Sequence, residues 1–216
     1  MNLKGKKVLF LGDSITEGVG ASSYDKSYVP VFADLSGADV KNYGISGTRI
    51  ARQINMSDDN PCDSDFMMRV DKMDSDADVV IVFGGTNDYG HGDAPMGDFE
   101  SRDKQTFYGA LHCLCVQLLN KYPNANIMFM TPVHRENEDA FVSNAGISKL
   151  PLSKYVSAIK EVAEYYALPV LDLYTVSGMQ PKIDIIKKNY MPDGLHPSDN
   201  GARRIAERLY GFLKAM

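Results

Sequence analysis

Short apolar runs alternate along this chain with longer stretches in which apolar residues recur at helical spacing. Strands that are apolar along most of their length, each followed by a helix, form a parallel sheet that helices cover on both faces. The sequence therefore predicts an α/β fold, a three-layer α/β/α sandwich around a central, mainly parallel five-stranded sheet. The five predicted strands are Lys7–Leu11, Asp39–Tyr43, Asp78–Phe83, Ala125–Met130 and Pro169–Leu173.

Three segments are predicted as amphipathic helices, because each places its apolar residues on one stripe. In the last of them Ile205, Leu209 and Phe212 face inward. Pro197 suits the first helical turn, where its missing N–H has no intrahelical partner to lose. The predicted helices are Ser101–Lys121, Pro151–Ala167 and Pro197–Leu213.

Length and composition narrow the class of protein. The chain has 216 residues, of which 44% are hydrophobic and 24% charged, near the average of globular domains. It contains no repeat, linker or low-complexity tract, so we expect residues 1–216 to form one domain. A net charge of −5 and the lack of a dense Lys/Arg cluster argue against a nucleic-acid partner. No apolar run approaches the roughly 18 residues that a membrane-spanning helix needs.

The first residues and the cysteines both favour a cytoplasmic protein. The start, MNLKGKKVLFLGD, has a basic region and an apolar run, but Gly12 and Asp13 close that run after four residues, as in a strand. The three cysteines, Cys62, Cys113 and Cys115, are an odd number, which does not suit a disulfide framework, and the Cys-x-Cys pair has no nearby His or Cys for a metal site. Cys115 lies on the apolar face of a predicted helix, which favours a structural role over a reactive thiol.

Small and polar residues follow directly after three of the predicted strands. Active sites of parallel α/β sheets form at the carboxyl ends of the strands, so these residues are the candidates for chemistry. The blocks are GDSITEG at 12–18, NYGISGT at 42–48 and GGTNDYG at 84–90, and a fourth block, DGLHP at 193–197, precedes the last predicted helix.

Each block has an ordinary explanation and a chemical one. Ser14 fits turn and N-cap chemistry, but a strand-to-helix turn also exposes its hydroxyl beside free N–H groups. Asp193 and His196 suit a solvated loop, yet their spacing lets the acid orient an imidazole that serves a serine as base. Asn87 is common in loops, and its amide can also donate to an oxyanion. All these parts fall at strand ends of one predicted sheet, which favours a serine hydrolase.

The four ordered blocks resemble those of the SGNH hydrolases, also called GDSL-type esterases, lipases and acylhydrolases. The resemblance runs from Gly12 to Pro197 and implies the flavodoxin-like sandwich of that family, with no cofactor and no metal. Three competing motifs are absent from the sequence: the G-x-S-x-G nucleophile elbow, the Walker A motif and the G-x-G-x-x-G fingerprint.

The resemblance also implies roles for individual residues. The second block's functional glycine is the one that closes the motif, Gly47, whereas Gly44 is expected to shape the turn. The implied catalytic residues are Ser14 as nucleophile, His196 as base and Asp193 as its orienting acid. The implied oxyanion hole consists of the backbone N–H groups of Ser14 and Gly47 and the side-chain amide of Asn87.

The expected partner is a small-molecule ester, and the sequence leaves the oligomeric state open. The segments Tyr89–Glu100, Thr131–Leu150 and Ser177–Met191 are predicted to line the site, and none of them is strongly apolar. A long acyl chain needs an apolar groove that provides about 0.8 kcal/mol per buried CH₂. We therefore favour a short acyl group, such as acetyl, on a polar alcohol such as a carbohydrate. Candidate substrate contacts are His91, His134 and Arg135.

Two alternatives stay open at this point. The first is another ester specificity, that of a short-chain lipase, a lysophospholipase or a thioesterase. The second is a non-catalytic carbohydrate-binding protein of the same fold. The intact set of Ser14, Asn87, Asp193 and His196 argues against the second, because a binding module needs no base beside an acid.

Overall fold

The computed structural model describes residues 1–57, 60–143 and 146–216. The strands of its central sheet are β1 (Lys7–Gly12), β2 (Asp39–Gly44), β3 (Val79–Phe83), β4 (Asn126–Met130) and β7 (Val170–Leu171). They are all parallel to their neighbours and lie in the order β2-β1-β3-β4-β7. Two short strands, β5 (Phe141–Val142) and β6 (Ser148–Lys149), form a separate antiparallel pair. The predicted α/β fold with its five-stranded parallel sheet is confirmed.

Helices cover both faces of the sheet. They are α1 (Ser14–Glu17), α2 (Tyr28–Ser36), α3 (Phe66–Val70), α4 (Thr86–Gly90), α5 (Phe107–Lys121), α6 (Leu152–Tyr165), α7 (Leu173–Val176), α8 (Asp184–Tyr190) and α9 (Asp199–Ala215), with 3₁₀ turns at Tyr24–Lys26 and Pro61–Asp63. Helices α2 and α9 pack on one face, and α3, α5 and α6 pack on the other.

The two cores follow from the alternation of side chains along buried strands. In β3 every residue is buried, and the β-branched run VVIVF suits a strand with helices on both sides. Val80 and Val82 belong to the core under α5 and α6, whereas Val79 and Ile81 belong to the core under α2 and α9.

The strand order also decides where the site forms. From β1 the chain passes outward to β2 on one side, and it then returns to β3 on the other side of β1. The connections that leave the carboxyl ends of β1 and β3 therefore diverge, which opens a crevice at this edge. The first and third sequence blocks lie at that crevice.

The predicted bounds of one helix and of the last strand were wrong. The helix predicted from Ser101 begins six residues later, at Phe107, because Thr106 caps it by accepting a hydrogen bond from the N–H of Gly109 at 3.1 Å. The strand predicted over Pro169–Leu173 is only two residues long. The carboxylate of Asp172 accepts from Thr131 and Thr175 instead, and the chain enters α7.

The last helix also begins later than predicted. Ser198 caps α9 by accepting from the N–H of Gly201, so Pro197 precedes the helix and is not part of its first turn. Ile205 and Leu209 are fully buried as expected, whereas Phe212 is only partly buried. No helix in the part of the chain that the structure describes combines the length and apolarity required to cross a membrane.

Candidate active site

Ser14 lies at the turn from β1 into α1. The carboxylate of Asp13 caps this short helix by accepting a hydrogen bond from the N–H of Ile15 at 3.0 Å. The helix ends after one turn at Gly18, which has a φ of +113° that favours glycine. The turn thus holds the Ser14 side chain, 7% exposed, at the floor of the crevice.

Ser14 is the first member of a hydrogen-bonded row of three side chains. Its Oγ lies 3.0 Å from Nε2 of His196, and Nδ1 of His196 lies 2.7 Å from Oδ2 of Asp193. Because an ionised carboxylate only accepts hydrogen bonds, the proton of the neutral imidazole is on Nδ1 and the lone pair of Nε2 faces Ser14. This arrangement can take the proton of a serine hydroxyl as the oxygen attacks.

The loop itself holds Asp193 in place. Its Oδ1 accepts hydrogen bonds from the N–H groups of Leu195 at 2.8 Å and His196 at 2.7 Å. Burial acts to raise the pKa of Asp193, but the hydrogen bonds from the His196 side chain and these two N–H groups outweigh it. The pKa therefore lies below its ordinary value, and the acid stays ionised at neutral pH.

The segment after α1 anchors the loop that carries His196. Gly20 has a φ of +96°, and a Cβ there would lie 2.7 Å from Cβ of His196. Two residues later the N–H and Oγ of Ser22 donate to the carboxylate of Asp199 at 2.7 and 2.8 Å. Lys26 pairs with the same carboxylate at 3.1 Å. These contacts hold the loop of His196 against the turn that carries Ser14.

Asn87 and Gly47 supply donors beside Ser14. The amide Nδ2 of Asn87 donates to the carbonyl oxygen of Thr48 at 3.1 Å, which places the amide next to Gly47. Gly47 has a φ of +74° that favours glycine. Within the described residues, the N–H groups of Ser14 and Gly47 have no backbone acceptor. Two free N–H groups and a fixed amide can stabilise a developing oxyanion.

Gly44 packs the second block against the first. A Cβ at Gly44 would lie 2.2 Å from the backbone nitrogen of Glu17, so only glycine lets β2 approach α1 this closely. The carboxylate of Glu17 accepts from the N–H of Ser46 at 2.6 Å. Gly44 therefore sets the packing of the turn, while Gly47 presents its N–H.

The three predicted substrate contacts occupy different surroundings. Nδ1 of His91 lies 2.9 Å from a guanidinium nitrogen of Arg49, and its Nε2 lies 3.1 Å from Oδ1 of Asn87. Arg135 donates to the carbonyl of Thr86, the residue before Asn87, at 3.2 Å, so it lies near the site.

His134 belongs to a network within the surrounding loops. Its Nδ1 lies 2.8 Å from Oε2 of Glu138 and 3.0 Å from Nε2 of Gln180. The imidazole also lies over the ring of Tyr174, with 3.7 Å between the two centroids. These contacts join two of the segments predicted to line the site.

A cleft of about 420 Å³ lies along the segments Tyr89–Glu100 and Thr131–Leu150. Charged, polar and aromatic side chains all contribute to the wall of this cleft. It is lined by Tyr89, Gly90, Arg135, Asn137, Asp139, Ala140 and Phe141. Within the segment Thr131–Leu150, positions 144 and 145 lie outside the described residues.

Arg69 supports the site and was missed by the sequence reasoning. Its guanidinium donates to the carbonyls of Gly12 at 3.0 Å and Tyr43 at 2.7 Å and to Oγ1 of Thr48 at 2.9 Å. Burial lowers the pKa of Arg69 to about 10 and raises that of nearby Asp13 to about 7. The signal that could have found it is a charged residue within the apolar stretch FMMRV.

Asp88 was also missed by the sequence reasoning. It links the third block to the residues that follow the second block. Its carboxylate accepts from the N–H groups of Ile50 at 3.0 Å and Ala51 at 2.8 Å. Burial raises the pKa of Asp88 to about 6 against the effect of those hydrogen bonds. Across residues 1–57, 60–143 and 146–216, no group of three or more His, Cys, Asp or Glu side chains is placed to hold a metal ion.

Comparison with known proteins identifies the family. The model of the GDSL-like lipase/acylhydrolase family matches residues 10–204, which include all four blocks. The chain belongs to this family. Its membership in the GDSL-like acylhydrolases places it among the carboxylic ester hydrolases, as the resemblance of the blocks implied.

Individual relatives agree with this assignment. This acylhydrolase is 27% identical to an acetylxylan esterase of Xylanibacter ruminicola over 96% of its own length, and it spans 43% of that relative. It is 32% identical to a Lactobacillus plantarum protein of known crystal structure, with a TM-score of 0.83 and 98% of each chain covered. A lipase/acylhydrolase from Enterococcus faecalis shares the fold at 19% identity, with a TM-score of 0.66, over 97% of this chain and 96% of that one.

Proposed function

We propose that this acylhydrolase is a serine esterase that works through an acyl-enzyme on Ser14. One observation carries the proposal: Ser14 Oγ, the imidazole of His196 and the carboxylate of Asp193 form a continuous hydrogen-bonded row, with distances of 3.0 and 2.7 Å. The row ends on a carboxylate that stays ionised, which is what a base needs to become an imidazolium during the reaction.

The reaction has two halves that use the same groups. Ser14 Oγ attacks the ester carbonyl carbon while Nε2 of His196 takes its proton, and Asp193 stabilises the imidazolium. The carbonyl oxygen becomes an oxyanion held by the N–H groups of Ser14 and Gly47 and by the amide of Asn87. The ester C–O bond breaks, and the alcohol leaves with the proton from His196. Water then attacks the acyl-enzyme in the same way and releases the carboxylic acid.

We further propose a short acyl group, acetyl foremost, on a polar alcohol such as a carbohydrate. The cleft supports this, because Arg135, Asn137 and Asp139 offer hydrogen-bonding groups to a polyhydroxylated alcohol. The acetylxylan esterase among the relatives supports the same substrate class. A medium or long acyl chain would instead require an extended apolar groove.

Ser14→Ala tests the chemistry. We expect it to remove nearly all esterase activity on p-nitrophenyl acetate with an unchanged circular dichroism spectrum, because loss of the nucleophile costs many orders of magnitude. Ser75→Ala is the matched control, since Ser75 is an exposed serine away from the site. A fluorophosphonate probe should label the wild-type protein once, at Ser14. Retention of a tenth of the wild-type rate in Ser14→Ala would defeat the proposal.

Substrate class needs its own assay. Acetyl, butyryl and octanoyl p-nitrophenyl esters are compared by kcat/KM, together with acetate release from acetylated oligosaccharides. The proposal expects the acetyl ester to be preferred over the octanoyl ester and the acetylated oligosaccharides to be deacetylated. A preference for octanoyl would favour a lipase specificity and overturn the acyl part of the proposal.

A further inference from the structure

A row of polar contacts leads from the side chain of Asn87 through His91 to Arg49 and Asp63. Oδ1 of Asn87 lies 3.1 Å from Nε2 of His91, and Nδ1 of His91 lies 2.9 Å from a guanidinium nitrogen of Arg49. The guanidinium forms an ion pair with Asp63, and both side chains are buried. Four side chains from three segments are thus linked end to end, since Asn87 and His91 belong to the same short helix and its C-cap.

The chemistry of the row gives each bond a direction. A guanidinium only donates, so Nδ1 of His91 must accept from Arg49. The neutral imidazole then carries its proton on Nε2 and donates to Oδ1 of Asn87. The oxygen of Asn87 is therefore committed to His91, and its NH₂ group faces Thr48 and the site. One of the two N–H bonds is used by the carbonyl of Thr48, and the other is available to an oxyanion.

Without the hydrogen bond from His91, only the carbonyl of Thr48 would hold the amide of Asn87 in this orientation. A carboxamide rotated by 180° has nearly the same shape, but it would present oxygen to the site where a donor is required. An oxygen there would repel the developing negative charge instead of stabilising it. The orientation of this one amide is therefore a condition for stabilising the transition state, and His91 and the carbonyl of Thr48 together select it.

The surroundings keep His91 neutral and Arg49 fixed. Desolvation and the positive charges of Arg49, Arg135 and Lys149 lower the pKa of His91 to about 4, with Asp63 acting in the opposite direction. Protonation would place a second positive charge against Arg49 and remove the lone pair that accepts from it.

The ion pair is anchored in turn. The second carboxylate oxygen of Asp63 accepts from the N–H of Ser57 at 2.9 Å and from Nδ2 of Asn60 at 3.2 Å. The guanidinium of Arg49 also donates to the carbonyl of Cys62 at 3.2 Å. The far end of the row is thus held by backbone as well as by charge.

We propose that His91 is a positioning residue that fixes the amide of Asn87 with its NH₂ group toward the oxyanion, and that Arg49, held by Asp63, fixes the tautomer of His91. This inference rests on the proposed function, because His91 acts through Asn87. Part of the ring is exposed, but both of its nitrogens are engaged by the protein, so its hydrogen bonds serve Asn87 and not the substrate.

The test is a double-mutant cycle with a conservative rescue. Asn87→Ala alone should lower kcat by about 100- to 1,000-fold. His91→Leu removes both hydrogen bonds and should lower kcat by about 10-fold with little change in KM, since one intramolecular hydrogen bond is worth about that much. In the Asn87→Ala background His91→Leu should change kcat less than 2-fold, because the group it positions is gone.

His91→Gln is the rescue variant. Its carboxamide offers an oxygen to Arg49 and an NH₂ group to Asn87, so it should recover most of the activity that His91→Leu loses. Equal losses in the two Asn87 backgrounds, or a change in KM with kcat unchanged, would overturn the positioning role. The second result would instead mark His91 as a substrate contact.

A second measurement does not depend on any variant folding. The chain has four histidines, so long-range ¹H–¹⁵N spectra of the wild-type protein can resolve each imidazole. The proposal expects His91 as the neutral Nε2–H tautomer at pH 7, and an Nδ1–H tautomer or an imidazolium would overturn it. Fluorophosphonate labelling of Ser14 tests the proposed function separately: absence of labelling in the wild type would defeat that function whatever the state of His91.

Discussion

Replacing Asp193 by asparagine inverts a hydrogen bond while it preserves the shape of the loop. Oδ1 of Asp193 accepts from two backbone N–H groups, so the asparagine oxygen must keep that position. Its NH₂ group then takes the place of Oδ2, 2.7 Å from Nδ1 of His196. Facing a donor, Nδ1 becomes an acceptor and the imidazole proton moves to Nε2. That nitrogen now donates to Ser14 and can no longer remove its proton.

The magnitude follows from the loss of the base. Forcing the wrong tautomer in a Ser–His–Asp arrangement costs about 10⁴ in kcat, or about 5 kcal/mol of transition-state stabilisation. Asp193→Ala loses the carboxylate but forces no tautomer, because water can accept from Nδ1. We therefore expect Asp193→Asn to be at least as damaging as Asp193→Ala, although asparagine is the more conservative replacement.

The assay is kcat on p-nitrophenyl acetate at pH 8, with circular dichroism and the melting temperature as checks on folding. Asp184→Asn makes the same chemical change at an exposed position in α8 and should stay within 2-fold of wild type. If folded Asp193→Asn kept more than a tenth of the wild-type kcat, the assignment of His196 as a base oriented by Asp193 would be refuted.

Three further predictions concern the supports of the site. Gly20→Val places a side chain where a Cβ alone would be 2.7 Å from His196, so kcat should fall at least about 10-fold, and an unchanged kcat would contradict this packing. Arg69→Met leaves buried carbonyls without a donor and should lower the urea-unfolding free energy by about 3–5 kcal/mol, whereas a loss below 1 kcal/mol would show that water replaces the guanidinium. The native pKa of Asp13, about 7, exceeds its ordinary 3.8, so its ionisation destabilises the fold as pH rises through that window. As pH rises from 5 to 8, the free energy of unfolding of Asp13→Asn in urea should increase by about 2–3 kcal/mol relative to that of the wild type. An equal pH dependence of the two proteins would contradict the raised pKa.

The sequence alone was sufficient to predict the parts of the site that lie at the ends of strands. In a parallel sheet, the residues after β1 and β3 reach the same edge, so GDS and GGTND could be expected to meet. The contact of His196 with Ser14 was expected because a serine nucleophile needs a base within hydrogen-bond reach. These inferences needed no coordinates, because chain direction and sheet geometry already limit where such residues can lie.

Tertiary partners of charged residues could not be inferred in the same way. Arg49 comes directly after the second block, but nothing local shows that it pairs with Asp63 and orients His91. The length of the last strand was mispredicted for the same reason. Pro169–Leu173 is apolar enough for a longer strand, but the side-chain hydrogen bonds of Asp172 end it early. Each case depends on a long-range contact that competes with local preference.

The separation of 182 residues between Ser14 and His196 has a consequence for biosynthesis. A ribosome makes Ser14 long before it makes His196. The hydrogen bonds between Ser22 and Asp199 join the same distant regions. A nascent chain can therefore contain every strand of the central sheet before His196 has been made. In the proposed mechanism, the growing polypeptide is therefore catalytically silent until the loop at Asp193 has emerged and docked beside Ser14.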